Sequence, residues 1–199
     1  MKPIRRVVFP LLASVAATLL LALPAAHADD YSDVSQLARN GKTTEALAKA
    51  DGYLAKNPRD PQMRFIKAGI EADMGKTDEA IAAYTELTRD YPELPEPYNN
   101  LAALYAGRSE YGRARDALEM AVRTNPRYAL AYENLGDVYA RLAAESYAKA
   151  IALDAGTRAS AAPKLAVIRS LFPAKASTPA AISSGATSTK PAIKASAAE

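Results

Sequence analysis

A 34-residue period runs through the centre of the chain, and it limits the folds that this sequence can adopt. Three kinds of landmark keep the spacing: prolines at Pro58, Pro92 and Pro126; alanines at Ala46, Ala80 and Ala114; and turn residues at Gly41, Gly75 and Ser109. Within one period, residues 91–126 hold two stretches whose apolar residues recur at three- and four-residue steps, the spacing of one helix face. Two short helices joined by a polar turn form a hairpin that cannot bury both of its apolar faces alone. The period therefore predicts stacked copies of a helical hairpin.

The repeated positions resemble the tetratricopeptide repeat (TPR) family, whose unit is 34 residues long. That unit carries an aromatic, a leucine, a small residue and a tyrosine on its first helix, then an alanine and a large residue on its second, and it closes on proline. The third unit here supplies Tyr98, Leu101, Ala102, Tyr105, Ala114, Leu118 and Pro126. The resemblance covers roughly residues 29–155, and the segment YPELPEPYNNLAALYA is also similar to small exported TPR proteins of proteobacteria.

The resemblance implies an all-α fold, a TPR superhelix (α-solenoid) of three helical hairpins, a degenerate fourth with a fused long helix, and a C-terminal capping helix. The units are expected at about residues 29–60, 61–94, 95–128 and 129–155, with the capping helix at 162–172. The TPR domain then spans 29–172. Core packing is implied for the tyrosines at the aromatic positions, which are Tyr98, Tyr105, Tyr132 and Tyr139. Residues 173–199 are mainly Ala, Ser, Thr, Pro and Lys, a composition typical of a disordered tail.

The fourth unit is shortened where its turn is expected. Tyr132 and Tyr147 are 15 residues apart, whereas a full unit uses about 20 between these positions. Residues 141–146 contain no Gly, Pro, Asn or Asp, and the apolar stripe keeps helical phase across them. The sequence therefore predicts one continuous helix from about Leu130 to Leu153; the alternative is a tight turn near residues 143–144. Ala162-Pro163 is expected to open the capping helix.

The first two units depart from the family pattern on their first helices. In the first unit, Asp30 and Asp33 occupy the aromatic and leucine positions, as expected of a terminal repeat whose outer side faces water. In the second unit, Arg64, Lys67 and Glu71 occupy the aromatic, leucine and tyrosine positions. The resemblance is therefore weakest at the N-terminal end.

Residues 1–28 have the layout of a secretory signal peptide. Lys2, Arg5 and Arg6 form a basic start, an apolar run follows, and residues 26–28 (Ala-His-Ala) are a small-x-small cleavage pattern. The prediction is cleavage after Ala28 and a periplasmic protein that begins at Asp29. The alternative is an uncleaved inner-membrane anchor facing the periplasm, for which the apolar run is shorter than the ~20 residues of a spanning helix.

Composition excludes several classes of function. Residues 1–28 carry three basic groups and no acidic ones, so the 25 basic and 22 acidic residues of the chain become 22 and 22 after residue 28. Charges alternate along the helices without a basic stripe, which argues against nucleic-acid binding. The chain has no cysteine, and its one histidine is His27. No His- or Cys-based catalysis, zinc site or cofactor is therefore expected.

The resemblance implies that the first helices line a concave groove which binds a peptide or protein partner. Mapping by helical phase places on or near this face Phe65, Gly69, Ala72, Asp73, Asn99, Asn100, Ala103, Glu133, Asn134, Asp137 and Arg141. Asn100 and Asn134 lie one period apart, and their amides suit hydrogen bonds to a peptide backbone. The alternative is that these amides only support the neighbouring helix.

Two other functions stand beside this non-catalytic scaffold. One is a subunit of an envelope assembly that self-associates into a homo-oligomer through its convex face or its end helix. The other is a cell-wall enzyme that uses carboxylates, for which Asp73 and Glu133 are the candidates. The sequence favours the scaffold with an unidentified protein partner. Contact with a membrane is expected only if the signal segment is retained.

Overall fold

A computed structural model describes residues 25–172, with side chains described from Asp29 onward. Most of the predicted signal segment and the whole of the predicted tail, 173–199, lie outside the described residues. Within 25–172 the chain forms these helices: α1 (Ala25–Arg39), α2 (Thr43–Leu54), α3 (Pro61–Asp73), α4 (Thr77–Asp90), α5 (Pro95–Gly107), α6 (Tyr111–Thr124), α7 (Ala129–Leu153) and α8 (Arg158–Leu171), with a 3₁₀ turn at Ala155–Thr157. This described part contains no strand.

The helices stack as consecutive hairpins. Each helix packs on the next one in the chain, and contacts also join α1 to α3 and α5 to α7. The odd-numbered helices therefore form one layer and α2, α4 and α6 form another. The predicted all-α superhelix, with its long fused helix and its final capping helix, is confirmed.

The same turn closes each of the first three hairpins, and it explains the periodic turn residues. Gly41 and Gly75 have φ values of 75° and 74°, and Ser109, one period further on, has a φ of 60°. At the first turn, the N–H of Gly41 donates to the carbonyl of Ala38, and the N–H of the next residue donates to the carbonyl of Leu37. The same pair of bonds recurs at the other two turns. This is a helix stop that needs one left-handed residue, for which glycine has no steric cost.

Small residues set the close approach between the two layers. Ala46, Ala80 and Ala114, the alanines that mark the period, are each fully buried. Ala68 and Ala102 play the matching role on α3 and α5. The larger side chains around these alanines pack into two core clusters, one between the first hairpin and α3 and one from α3 to α7.

Charged residues form ion pairs at the family's aromatic and leucine positions on α3. The Arg64 guanidinium lies 3.2 Å from a carboxylate oxygen of Glu86 and 2.9 Å from one of Asp90, which ties α3 to α4. The Lys67 ammonium lies 2.7 Å from Asp51 on α2. The hydrogen bond to Asp51 is the main reason that the pKa of Lys67 is raised. The departures from the family pattern therefore substitute charge pairing for apolar contact, without a change of fold.

A tyrosine pair anchors the first helix. The Tyr31 hydroxyl donates to the Asp60 carboxylate at 2.6 Å, and the Tyr53 hydroxyl donates to the same oxygen at 3.2 Å. Asp60 also caps α3, since its other oxygen accepts the N–H of Met63 at 2.7 Å. Val34 is fully buried beside this group. Asp30 and Asp33 occupy the family's core positions on this helix, and the next residues, Tyr31 and Val34, make the packing contacts in their place.

The C-terminal end differs from expectation in two ways. Tyr132 and Tyr139 were predicted to pack in the core, and this is wrong, because they are 50% and 47% exposed. The helix that covers the equivalent tyrosines in the third unit is absent here, since α7 continues without a turn. The capping helix α8 begins at Arg158, four residues before the predicted Ala162, and Pro163 lies inside it.

Candidate functional site: the outer face of the odd helices

A row of three residues, one per helix, marks the predicted groove. Gly69, Ala103 and Asp137 are separated by 34 residues each and occupy the same position on α3, α5 and α7; we call them the groove row. Ala103 and Asp137 are exposed. Gly69 is half-buried, because the hydroxyl of Tyr84 lies 3.4 Å from the place where a Cβ would stand. The row therefore has little side-chain bulk over its first two helices.

The predicted asparagines are bonded inside the array. The Asn134 side-chain amide nitrogen donates to the side-chain Oδ1 of Asn99 at 2.8 Å, which joins α7 to α5. Asn99 is only 5% exposed and is the buried polar residue of the core. The Asn100 amide nitrogen donates to the Tyr84 hydroxyl at 2.8 Å, which joins α5 to α4. These bonds hold neighbouring helices, and ligand contact by the same amides stays a prediction.

Tyr84 was not singled out from the sequence, although it supports the centre of this face. Its side chain is 1% exposed and packs edge-on against Phe65, with ring centroids 5.5 Å apart. Burial raises the pKa of Tyr84 well above its ordinary value, so the hydroxyl is a neutral hydrogen-bonding group. The signal was present in the sequence: residue 84 is tyrosine whereas residue 118, one period on, is leucine. Asn100 can therefore bond to the Tyr84 hydroxyl. Asn134, for which the equivalent residue is Leu118, bonds to the Asn99 side chain instead.

The remaining predicted residues divide by exposure. Asp73 and Glu133 are exposed, while Phe65, Ala72 and Arg141 are half-buried. Arg141 is held at the far end of the layer, with its guanidinium carbon 4.4 Å from the ring centre of Phe172 and 5.5 Å from that of Tyr111. Its stacking on two rings places it at the junction of α6, α7 and α8.

The exposed charges of this face are mainly acidic. Asp73, Glu133 and Asp137 are exposed carboxylates, against the partly stacked Arg141. Partial burial raises the pKa of Asp73, and burial also raises that of the neighbouring Glu71. The exposed part of this face therefore carries net negative charge.

The structure does not bring together the two carboxylates of the enzyme hypothesis. Asp73 ends α3 and Glu133 begins α7, and α5 lies between these helices. Two helix spacings of 8–10 Å separate them by roughly 16–20 Å, whereas paired catalytic carboxylates lie about 5–9.5 Å apart. In the part of the chain that the structure describes, no group of three His, Cys, Asp or Glu could hold a metal ion. None of the helices in residues 25–172 is long and apolar enough to cross a membrane.

Comparison with known proteins agrees with this architecture. The family profile described as tetratricopeptide repeat matches residues 35–95. A thermophilic TPR protein of Thermus thermophilus superposes with a TM-score of 0.54 and 24% identity, over 74% of this chain and 84% of that one. The MamA protein superposes with a TM-score of 0.52 and 23% identity, over 70% of this chain and 79% of that one. Residues 35–95 therefore match the tetratricopeptide repeat, and the described part of the chain has the TPR solenoid fold.

Curated relatives match only in part. Superkiller protein 3 of Schizosaccharomyces pombe is 30% identical over 93 residues, which is 43% of this chain and 7% of that protein. ER membrane protein complex subunit 2-A of Xenopus laevis is 29% identical over 94 residues, which is 47% of this chain and 32% of that protein. The chain thus spans less than a third of the length of these relatives. The shared feature is the TPR scaffold, which generally mediates protein–protein interaction without catalysis.

Proposed function

We propose that the chain is a periplasmic TPR scaffold that binds a peptide or protein partner along the groove row and performs no catalysis. One observation carries the proposal. Helix α5 buries eight of its thirteen residues, yet Ala103 at its centre is exposed, one period from Gly69 on α3 and from Asp137 on α7. An open row across a rigid layer suits a ligand in extended or helical form.

The amides behind the row make this face rigid before any partner arrives. Asn99, Asn100 and Tyr84 are tied across three helices by the two 2.8 Å bonds described above. A preorganised surface loses little conformational entropy on binding. The asparagines therefore support the groove, and the contacts fall to the exposed groove row and its carboxylates.

Charge indicates the kind of partner segment. Asp73, Glu133 and Asp137 are exposed on the same layer, so a segment that carries Lys, Arg or a free amino terminus is complementary. Exposed charges of this sort mainly raise the association rate and are screened by salt. A related fold supports an assembly role: the Naa15/Naa10 structure bound to HypK superposes with a TM-score of 0.50 and 21% identity, over 72% of this chain and 22% of that one.

Site-specific photocrosslinking in cells tests the groove. A photoreactive residue placed at Ala103 or Asp137 should capture a partner that mass spectrometry identifies. The matched control positions are Ala82 on α4 and Asp116 on α6, which are also exposed but lie on the other layer. Capture from Ala82 and Asp116 with none from the groove row would overturn the groove assignment.

The export part of the proposal has its own test. The basic start, apolar run and small-x-small pattern of residues 1–28 support a cleaved signal peptide. Cell fractionation with N-terminal sequencing should find the protein in the periplasm with Asp29 first. A full-length chain in the inner-membrane fraction would instead establish the anchored form.

A further inference from the structure

One stripe of α7 is left largely uncovered by other helices of the described chain. Its residues recur at alternating steps of four and three, the 3.5-residue period of a coiled-coil seam. We call this set the α7 stripe: Tyr132, Gly136, Tyr139, Ala143, Ser146, Ala150 and Leu153. Leu153 is 78% exposed, about half of each stripe tyrosine is exposed, and Gly136 and Ser146 are exposed as well. Ala143 and Ala150 within the stripe are half-buried, and the Tyr139 hydroxyl donates to Glu119 on α6 at 2.9 Å.

The other faces of α7 are already occupied. Helix α6 covers the face of Ala131, Leu135 and Val138, each of which is buried. Helix α8 lies along a different face, where Ala148 and Ile151 meet Leu165 across a shallow hollow. The α7 stripe lies between these two faces and runs the length of the helix.

The third unit shows what normally lies on such a stripe. Tyr98, Ala102 and Tyr105, one period before Tyr132, Gly136 and Tyr139, are 9%, 1% and 7% exposed. Helix α6 folds back on α5 after the turn at Ser109, and its Arg113 stacks on the Tyr105 ring. The Tyr98 hydroxyl also donates to the carbonyls of Thr88 and Pro92 in the preceding unit. At Gly136 an added Cβ would meet nothing within 4 Å. The fourth unit has lost its turn, so the second half of α7 continues straight and cannot cover the first half.

We propose that a second copy of this chain covers the stripe, with the two α7 helices antiparallel about a two-fold axis at Ala143. In that register the residues pair within half a residue of ideal spacing: Tyr132 with Leu153, Gly136 with Ala150, Tyr139 with Ser146, and Ala143 with itself. Tyr132 meets Leu153 at each end of the pair and Tyr139 meets the small Ser146. The smallest residues, Gly136, Ala143 and Ala150, lie where the helices approach most closely. A hairpin that a missing turn prevents within one chain thus forms between two chains, as in domain swapping.

The other candidate occupants fit less well. Residues 173–199 offer two large apolar side chains, Ile182 and Ile193, eleven residues apart and without a heptad pattern. A foreign helix would need to match the alternation of large and small residues that α7 itself already matches. The stripe is narrow, since half of a tyrosine is about 100 Å², and a stable dimer buries about 1,600 Å². The dimer is therefore weak and concentration-dependent, and it does not involve the groove row.

Gly136 provides the discriminating variant. Sedimentation velocity of the purified protein, in the N-terminal form that cells produce, should show its average mass rise from one chain towards two between micromolar and submillimolar concentration. Gly136→Glu should stay monomeric with no fall in melting temperature, because its side chain enters open space and helix propensity improves. Gly136→Ala, which still permits close approach, should dimerise, as should Gly112→Glu on α6.

Cysteine crosslinking tests the register, because the chain has no cysteine of its own. Ala143→Cys should form a disulfide-linked dimer on mild oxidation, since facing residues at a two-fold axis fall within disulfide range. Gly136→Cys should not, because the two copies of that residue would be about 21 Å apart along the antiparallel pair. Linkage through Gly136→Cys would show a parallel pair and overturn the proposed register.

Two results would overturn the proposal as a whole. The first is a wild-type chain that remains monomeric at submillimolar concentration. The second is strong destabilisation by Gly136→Glu, which would show that the chain itself covers the stripe. Crosslinks from Ala103 depend on neither outcome, so the groove proposal and this one fail separately.

Discussion

Single residues decide how well each copy of the repeat is made. The three hairpin turns share one backbone conformation, but two of them use glycine and the third uses serine. A non-glycine residue in the left-handed region costs about 1–2 kcal/mol. Ser109 therefore stores strain at the centre of the best-formed unit, where a glycine would store none.

Ser109→Gly should stabilise the fold. Relief of the left-handed strain exceeds the entropy that glycine adds to the unfolded chain, and we expect a gain of about 0.5–1 kcal/mol in the free energy of unfolding. Urea denaturation followed by circular dichroism measures it. Gly75→Ala is the reverse change one period earlier, where φ is 74°, and it should lose a similar amount. A loss of stability in Ser109→Gly would contradict the strain assigned to Ser109, and unchanged stability in Gly75→Ala would contradict the need for glycine at the second turn.

Asn100 illustrates what sequence can and cannot foresee about the site. Its place on the face follows from the period, yet its bond depends on whether the second helix of the preceding unit offers a hydroxyl. Tyr84 does, and Asn100→Ala should therefore lower stability by about 1–2 kcal/mol, since it leaves a buried hydroxyl unpaired. Unfolding in urea should show a much smaller effect of the same substitution in a Tyr84→Phe background. Equal losses in the two backgrounds would mean that the bond contributes nothing.

At the scale of helices, the burial of a side chain depends on which helix packs against it, and the predictions that failed concern burial. The 34-residue period predicted the hairpins, the resemblance to the family implied their stacking, and the missing turn residues at 141–146 predicted the continuous α7. Tyr132 and Tyr139 carry the family's core residues, but their burial depends on a helix that folds back, and the missing turn removes it. The sequence showed Arg64 and Lys67 only as departures from the family's apolar pattern. Their ion pairs with Glu86 and Asp51 could not be predicted, because these carboxylates lie on other helices and follow no repeat pattern.

Adjacent positions on α5 separate core from groove. Leu101 is 5% exposed, and Leu101→Asp should unfold the array, because a carboxylate would be buried without a partner. Ala103→Asp, two residues further on, places the same carboxylate in solvent on the groove row and should melt within about 1 kcal/mol of wild type. Thermal melts by circular dichroism make the comparison. Native-like melting of Leu101→Asp would refute the core assignment.

For the whole molecule, the array has two independent surfaces. The groove row crosses α3, α5 and α7 on the outer side of the odd layer. The α7 stripe runs along α7 between the faces that α6 and α8 cover. A weak pairing through the stripe would bring two grooves into one particle and raise the apparent affinity for a partner with two binding segments. The shortened turn that weakens the fourth unit as a repeat is what frees the stripe for that purpose.

The chain should lose stability in alkali across its whole length. Burial is the main cause that raises the pKa of Tyr31, Tyr84, Tyr98 and Tyr128, and the Asp60 carboxylate adds to it for Tyr31. A raised folded pKa means that the folded chain keeps protons which the unfolded chain releases above about pH 10. The stabilisation is therefore complete below that pH and is lost as pH rises towards the folded values. The urea midpoint of unfolding should be constant from neutral pH to about pH 9 and should then decrease. Tyrosinate absorbance should appear together with the loss of helix. In Tyr84→Phe the midpoint should decrease less steeply with pH. Ionisation of all eleven tyrosines with helicity intact would contradict the burial described here.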